Sequence, residues 1–221
     1  MGHSYQSERV VVYIDGYNLY YGQRDAFGKR YQWLDLQAFS ESFLRPGMVL
    51  VKVKYFTAIT KSTTGSRQRQ EVYLKALQTH CDKLEVFYGR FLKKRKHCRR
   101  CGVEYMAFEE KKTDVNMACE ILNDVHLDRY DCCYVVSGDS DLVPPLDIVK
   151  NNYPNKRTIV AYPPRRKSAE LRQVADGSFV IGRQKFKHSQ LPEKVVSSHG
   201  GELIRPAVWN ASFREVKRRD R

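Results

Sequence analysis

The sequence predicts an α/β domain, a mostly parallel sheet with helices on both faces. Three observations predict it. Arg9–Asp15 (RVVVYID), Asp131–Ser137 (DCCYVVS) and Thr158–Tyr162 (TIVAY) are short apolar runs rich in β-branched residues, the pattern of strands buried on both faces. Helical patterns separate these runs, as in βαβ units. The 221 residues suffice for one such domain with a sizeable core and a small appendage.

Each element follows from local chemistry. Gly16 allows a tight turn after the first strand, and Asn18–Gly22 opens a helix. Leu34–Phe43 suits a short helix with Asp35 near its N-cap. Met48–Ala58 reads as a second strand and Leu84–Leu92 (LEVFYGRFL) as a third. Between them, Ile59–Ser66 is loop-like and Arg67–His80 helical, with Ser66 as cap. Thr113–Leu127 is a helix with an apolar face of Val115, Ala118, Ile121, Leu122 and Val125, capped by Thr113 or Asp114. Asp141–Asn151 is a helix that tolerates Pro144 and Pro145 because a first turn needs no N–H donors. Ser168 caps a short helix to Ala175, and Phe179–Ile181 is a last strand. Beyond about Gln184 the pattern fades. Ser197–Gly201 reads as a linker and the tail from Arg214 as mobile. Trp33 and Trp209 carry no signal of their own.

Composition narrows the function. No apolar run approaches the roughly 20 residues that span a bilayer, and no signal-like region precedes the first strand. A cytoplasmic protein with no membrane partner is expected, so the six cysteines are thiols or metal ligands rather than disulfides. Lys+Arg number 39 against 25 Asp+Glu, a net +14 that favours polyanionic partners. The excess is clustered. Arg90–Arg100 (RFLKKRKHCRR) holds seven basic residues in eleven, and Arg165 and Arg166 sit in PPRRK. With Tyr88, Phe91 and Tyr162 nearby, these clusters point to nucleic acid.

In parallel sheets ligands bind at the carboxyl ends of the strands, near a topological switch point. Asp15 ends the first strand and Asp139 follows Asp131–Ser137. Asp114 opens a helix whose N-terminus points to the same edge. At least three carboxylates are therefore expected at one rim, with Asp141 and Asn18 close by. Asp114 and Asp141 are placed to cap helices, whereas Asp15 and Asp139, ending buried strands, have no capping role to explain them. Carboxylates this close repel unless a cation neutralises them, and hard oxygen ligands suit Mg²⁺ or Mn²⁺.

Three motifs occur in order: Asp15-Gly-Tyr-Asn18, Lys111-Lys-Thr-Asp114-Val-Asn116 and Ser137-Gly-Asp-Ser-Asp141. Together they resemble the NYN domain, a branch of the PIN-like nucleases, over about Arg9 to Gly182. The resemblance implies a Rossmann-like, PIN-type sheet and metal-dependent cleavage of RNA, with single-stranded RNA as the expected partner. It makes Asp15, Asp114, Asp139 and Asp141 metal-binding acids, Asn18 the residue that orients a ligand or water, and Ser137 a hydroxyl donor in the site. The expected organisation is a nuclease domain over 9–182, a basic CxxC insert at 93–110 and a basic extension at 183–221. A non-catalytic RNA-binding module on the same fold is the rival reading, but it gives no reason to hold a repulsive acid cluster. A nucleotide-binding enzyme is disfavoured by the absence of G-x-G-x-x-G and P-loop motifs.

Cys98-Arg-Arg-Cys101 resembles half of a zinc knuckle, and structural zinc wants four ligands. Completion could come from His97, Cys81, His80 or the same pair of a second subunit in a homodimer. The other reading is a basic loop with two free thiols. In both, Lys93, Lys94, Arg95, Lys96, Arg99 and Arg100 are expected to grip the RNA backbone near the acidic rim, with Lys111, Arg165 and Arg166. Cys119, Cys132 and Cys133 are expected to be core thiols. Tyr17, Tyr20 and Tyr21 could stack on bases or pack the first helix.

Overall fold

The structure is a computed structural model that describes residues 7–61, 65–197 and 200–210. The basic tail lies outside the described residues. Six strands form one parallel sheet: β1 (Glu8–Asp15), β2 (Met48–Thr57), β3 (Leu84–Tyr88), β6 (Cys132–Val136), β7 (Arg157–Tyr162) and β8 (Gly177–Val180). Their order is β3-β2-β1-β6-β7-β8, so the chain first winds one way from β1 and later the other. The switch point falls between β1 and β6. No helix of the described residues is long and apolar enough to cross a membrane.

Alternation along β1 feeds two cores. Val10, Val12 and Ile14 pack with residues of α1 (Gly16–Phe27), α2 (Leu36–Glu41), α3 (Ser66–His80) and α7 (Arg183–His188). Val11 and Tyr13 pack on the other face with α4 (Thr113–His126), α5 (Val143–Asn152) and α6 (Ala169–Val174). All of Val10–Ile14 is buried, which is why both alternate positions of the strand are apolar.

Several elements differ from the sequence reading. Leu84–Leu92 is not one strand. At Gly89, whose N–H still bonds Thr57 O, the chain leaves the sheet and enters a separate antiparallel hairpin of β4 (Arg90–His97) and β5 (Glu104–Lys111). The apolar pattern runs on across Gly89 because Phe91 and Leu92 are half-buried at the hairpin's base. Ser66 does not cap α3. That position belongs to Gly65 in the left-handed region (φ 59), where a side chain is strained. α4 likewise starts from Lys112 (φ 82) with no side-chain cap, so neither Thr113 nor Asp114 serves as one.

The chain does not fade after Gln184. α7 is followed by a small hairpin of β9 (Lys194–Val196) and β10 (Glu202–Ile204). Ser197 N–H bonds Gly201 O, which closes the β9–β10 hairpin at both ends of the expected linker, whose residues 198–199 lie outside the described residues. A 3₁₀ turn then seats Trp209 on Trp33 and Tyr73, with ring centroids 6.2 and 6.0 Å apart. Cys119 is exposed on α4, contrary to expectation, whereas Cys132 and Cys133 are buried as expected.

Beneath the sheet's rim, Lys54 of β2 is buried and ion-paired to two acids of α4, Glu120 at 2.5 Å and Asp124 at 2.6 Å. Asp124 is fully buried and also accepts from Tyr13 Oη (2.7 Å) and Arg129 Nη1 (2.9 Å). This network clamps α4, and with it Asp114, onto the strand beside β1.

Candidate metal centre

Asp15 sits at the carboxyl end of β1 and is 2 % exposed, so every oxygen needs a partner. Oδ1 accepts from the N–H groups of Tyr17 and Asn18, both at 3.0 Å. Oδ2 accepts from Asn18 Nδ2 at 2.6 Å and Ser137 Oγ at 2.8 Å. Asp15 is thus the N-cap of α1, a role the sequence reading denied it. Asp139 also caps, accepting from Asp141 N–H at 3.1 Å to start the 3₁₀ turn Ser140–Leu142. The capping assignment is therefore reversed: the strand-ending acids cap, while Asp114 and Asp141 do not.

Ser137 joins the two walls, donating to Asp15 and accepting from Asp139 N–H at 3.0 Å. Asn18 does the same from the other side, since its Oδ1 accepts from Gly138 N–H at 3.3 Å. Gly138 has no room for a side chain. A Cβ there would meet the carbonyl O and C of Arg166 at 2.6 and 2.8 Å, which is why glycine separates Ser137 from Asp139. Arg166 is itself engaged, with Nη2 2.7 Å from Asp25, so it braces this wall rather than facing solvent freely. Arg165 is exposed.

The outcome is a cluster of Asp15, Asp114 and Asp139, each offering one oxygen within 4.8 Å of the others. Asp114 reaches it from the first turn of α4, exposed at the rim. Asp141 is exposed and stays outside the three, yet its charge acts on Asp114. The hydrogen bonds that hold Asp15 and Asp139 come from neutral donors and leave the charge uncancelled. Burial pushes the Asp15 carboxyl up, against the pull of the Asn18 N–H and the Ser137 hydroxyl, and Asp139 adds to the rise. Burial and then the charges of Asp15, Asp139 and Asp141 push Asp114 up to about 6. An oxygen-only set of clustered, mutually repelling carboxylates fits a hard divalent cation.

A raised carboxyl pKa favours folding below the ordinary value and loses that contribution as pH climbs through the folded one. We expect metal-free protein to lose stability between about pH 4 and 6 on this account. Asp114→Asn should match wild type at pH 4 and exceed it at pH 7 by about 1 kcal/mol, a figure discounted for solvent screening. Thermal unfolding in chelator checks this, and a gap independent of pH would contradict it.

The basic hairpin adjoins the cluster. It leaves the sheet at Gly89 and runs through Lys111 and Lys112 into the helix that carries Asp114. Phe91 packs edge-on against Tyr17, two residues after Asp15, at 6.3 Å. Lys93, Lys94, Arg95 and Lys96 are exposed along β4, Arg99 and Arg100 at its tip. Arg95 lies 3.7 Å from Glu104.

Cys98 and Cys101 face one another at the tip. The amide N–H groups of Arg100 and Cys101, and the Cys101 thiol, donate to Cys98 sulfur and hold its pKa down. The other proposed ligands are engaged elsewhere. His97 pairs with Glu104 at 2.7 Å, and His80 and Cys81 both turn to Asp35 of the α2 cap, at 3.2 and 3.4 Å. Burial pushes the Cys81 thiol up to about 12. Among the described residues no third His, Cys, Asp or Glu completes a group with this pair.

Comparison with known proteins gives a family and a shared fold. A family model described as NYN domain matches residues 9–182. The chain is 27 % identical over 179 residues to a 6-hydroxy-3-succinoylpyridine 3-monooxygenase of Pseudomonas putida, covering 64 % of this chain and 55 % of that protein. The chain thus spans about half the length of that relative. A crystal structure of a protein of unknown function from Vibrio parahaemolyticus shares the fold, with a TM-score of 0.56, 23 % identity and coverage of 83 % of this chain and 98 % of the other.

Proposed function

Because the chain belongs to the NYN domain family, within the PIN-like nuclease superfamily, we propose that it is a metal-dependent endoribonuclease acting on single-stranded RNA. The observation that carries this reading is the convergence of Asp15, Asp114 and Asp139 at the carboxyl ends of β1 and β6, oxygens within 4.8 Å. In this reading those three acids hold Mg²⁺ or Mn²⁺. The ion would supply positive charge for the phosphoryl oxygens and make water more acidic at the scissile bond. Ser137 and Asn18 fix the Asp15 and Asp139 walls at the spacing described. Asp141, exposed beside the three, accepts the proton of the attacking water. Six cysteines without a disulfide among them suit a cytoplasmic setting.

The test is cleavage of end-labelled single-stranded and structured RNA with Mg²⁺, Mn²⁺ or EDTA. Internal cuts that need the metal are expected, and equal cleavage in EDTA contradicts the reading.

The hairpin lysines hold the RNA backbone. Changing Lys93, Lys94 and Lys96 together to Ala should weaken RNA binding and flatten its salt dependence. The log–log slope should fall by about 0.7 for each phosphate that is no longer neutralised. Fluorescence anisotropy across a salt series measures both, and an unchanged slope contradicts the role.

Cys98 and Cys101 supply two of the four ligands of a structural zinc, and a second copy across a two-fold axis supplies the rest. Purified protein should carry one zinc per two chains, and Cys101→Ser should lose both zinc and dimer in metal analysis and light scattering. A zinc-free dimer contradicts this.

A further inference from the structure

Beside the acid cluster lies a cavity of about 350 Å³, a volume at the low end of ligand pockets and suited to one nucleotide. Gly16 and Tyr17, which line it, directly follow Asp15, and Thr57 and Ala58 at the end of β2 form another wall. These walls lie at the same edge of the sheet as the acids.

Its chemistry is specific. Gln23 and Gln32 line the cavity and are only 4 % and 8 % exposed, yet the Nε2 of each has no hydrogen-bond partner. Neither atom has surface open to the cavity, but a buried donor left unpaired costs about 1–3 kcal/mol, so a turn of either amide toward an acceptor that enters the cavity is favoured. Flat walls come from Tyr55, Tyr73 and Trp209. At the mouth Tyr20 and Tyr21 are exposed, with Arg24 over both rings at 6.0 and 5.7 Å. Arg24, Lys29 and Arg69 make the lining basic. Buried amide donors, aromatic walls and cations together describe a planar heterocycle with acceptor atoms on its edge and a phosphate attached.

We propose that this cavity takes the base of the RNA nucleotide next to the scissile bond, with Gln23 and Gln32 donating to its edge. The inference rests on the ribonuclease reading above and adds a specificity pocket to it. The cavity would make cleavage depend on base identity at one position beside the cut.

Two measurements on wild type, Gln32→Leu and Arg69→Ala test it. The four nucleoside 5′-monophosphates are titrated into metal-free protein, and cut sites are mapped on single-stranded RNA of randomised sequence with Mn²⁺. Arg69→Ala, at a less buried position, keeps the test open if Gln32→Leu misfolds. Wild type should bind at least one monophosphate, both variants at least tenfold more weakly, and a base preference beside the cut should flatten in the variants. Cuts without base preference overturn the inference while leaving the ribonuclease reading intact. Monophosphate binding lost in the variants, with no RNA cleavage, makes the cavity a free-nucleotide site and overturns both readings. Neither binding nor cleavage also overturns both.

Discussion

Asp139→Asn is expected to abolish metal-dependent RNA cleavage while leaving the fold intact. The structure gives Asp139 two duties, and this substitution separates them. Its Oδ1 caps the 3₁₀ turn by accepting from Asp141 N–H, and Asn caps about as well as Asp. Its charge is what the cluster offers a cation, and Asn has none. If Asp139 were only a cap, Asp139→Asn would be silent and Asp139→Ala would cost about 1 kcal/mol of stability. Under the present account Asp139→Asn loses activity by more than about 100-fold, since even partners outside a metal's ligand set cost about 10–100-fold when removed. Its melting temperature in chelator should stay at or above the wild-type value, because one repelling charge is gone. Activity within a few-fold of wild type would assign Asp139 to capping alone.

The second large effect is expected far from the rim. Lys54→Ala leaves fully buried Asp124 without its lysine and Glu120 without its partner. Removing one member of a buried ion pair costs about 3–5 kcal/mol, because the other charge stays in low dielectric. For a chain of this size that is a melting-temperature fall of roughly 10 °C. Asp124 keeps its bonds from Tyr13 and Arg129, which places the loss toward the lower end. The double variant Lys54→Met with Asp124→Asn should recover much of the stability, since both charges leave together. Thermal or urea unfolding reads this directly. A single variant within about 1 kcal/mol of wild type would show that the network does not clamp α4.

The centre of the sheet was legible because β1 and β6 are buried on both faces. Val10–Ile14 and Cys132–Val136 are apolar at every position, and parallel strands of that kind announce themselves without alternation. The rim followed from topology: once β1 and β6 are strands, Asp15 and Asp139 must leave at their carboxyl ends. Capping was assigned to the wrong acids because a cap is set by backbone geometry. Lys112 takes a positive φ (82°) before α4, which removes any side-chain capping role from Thr113 and Asp114. The hairpin was hidden by Gly89, where an apolar pattern continues although the pairing partner changes.

The C-terminal elements were hidden by length. β9 and β10 hold three residues each, too few for a period to register, and Trp209 is placed by packing on Trp33 and Tyr73. Lys54 drew no reading of its own within the strand Met48–Ala58. The signal that could have found its network is the pair Glu120 and Asp124, spaced by one helical turn on α4. The Gln23 and Gln32 cavity had no local signature at all. Its walls come from α1, the end of β2, α3 and the segment of Trp209, which only the folded chain brings together.

The central claim is that Asp15, Asp114 and Asp139 hold a divalent cation, and Mn²⁺ binding in the absence of RNA tests it most directly. Calorimetric titration of Mn²⁺ into wild type and Asp139→Asn at pH 7 should give saturable binding in the first and loss of that binding in the second. Equal binding in both proteins, or none in wild type, would contradict the account.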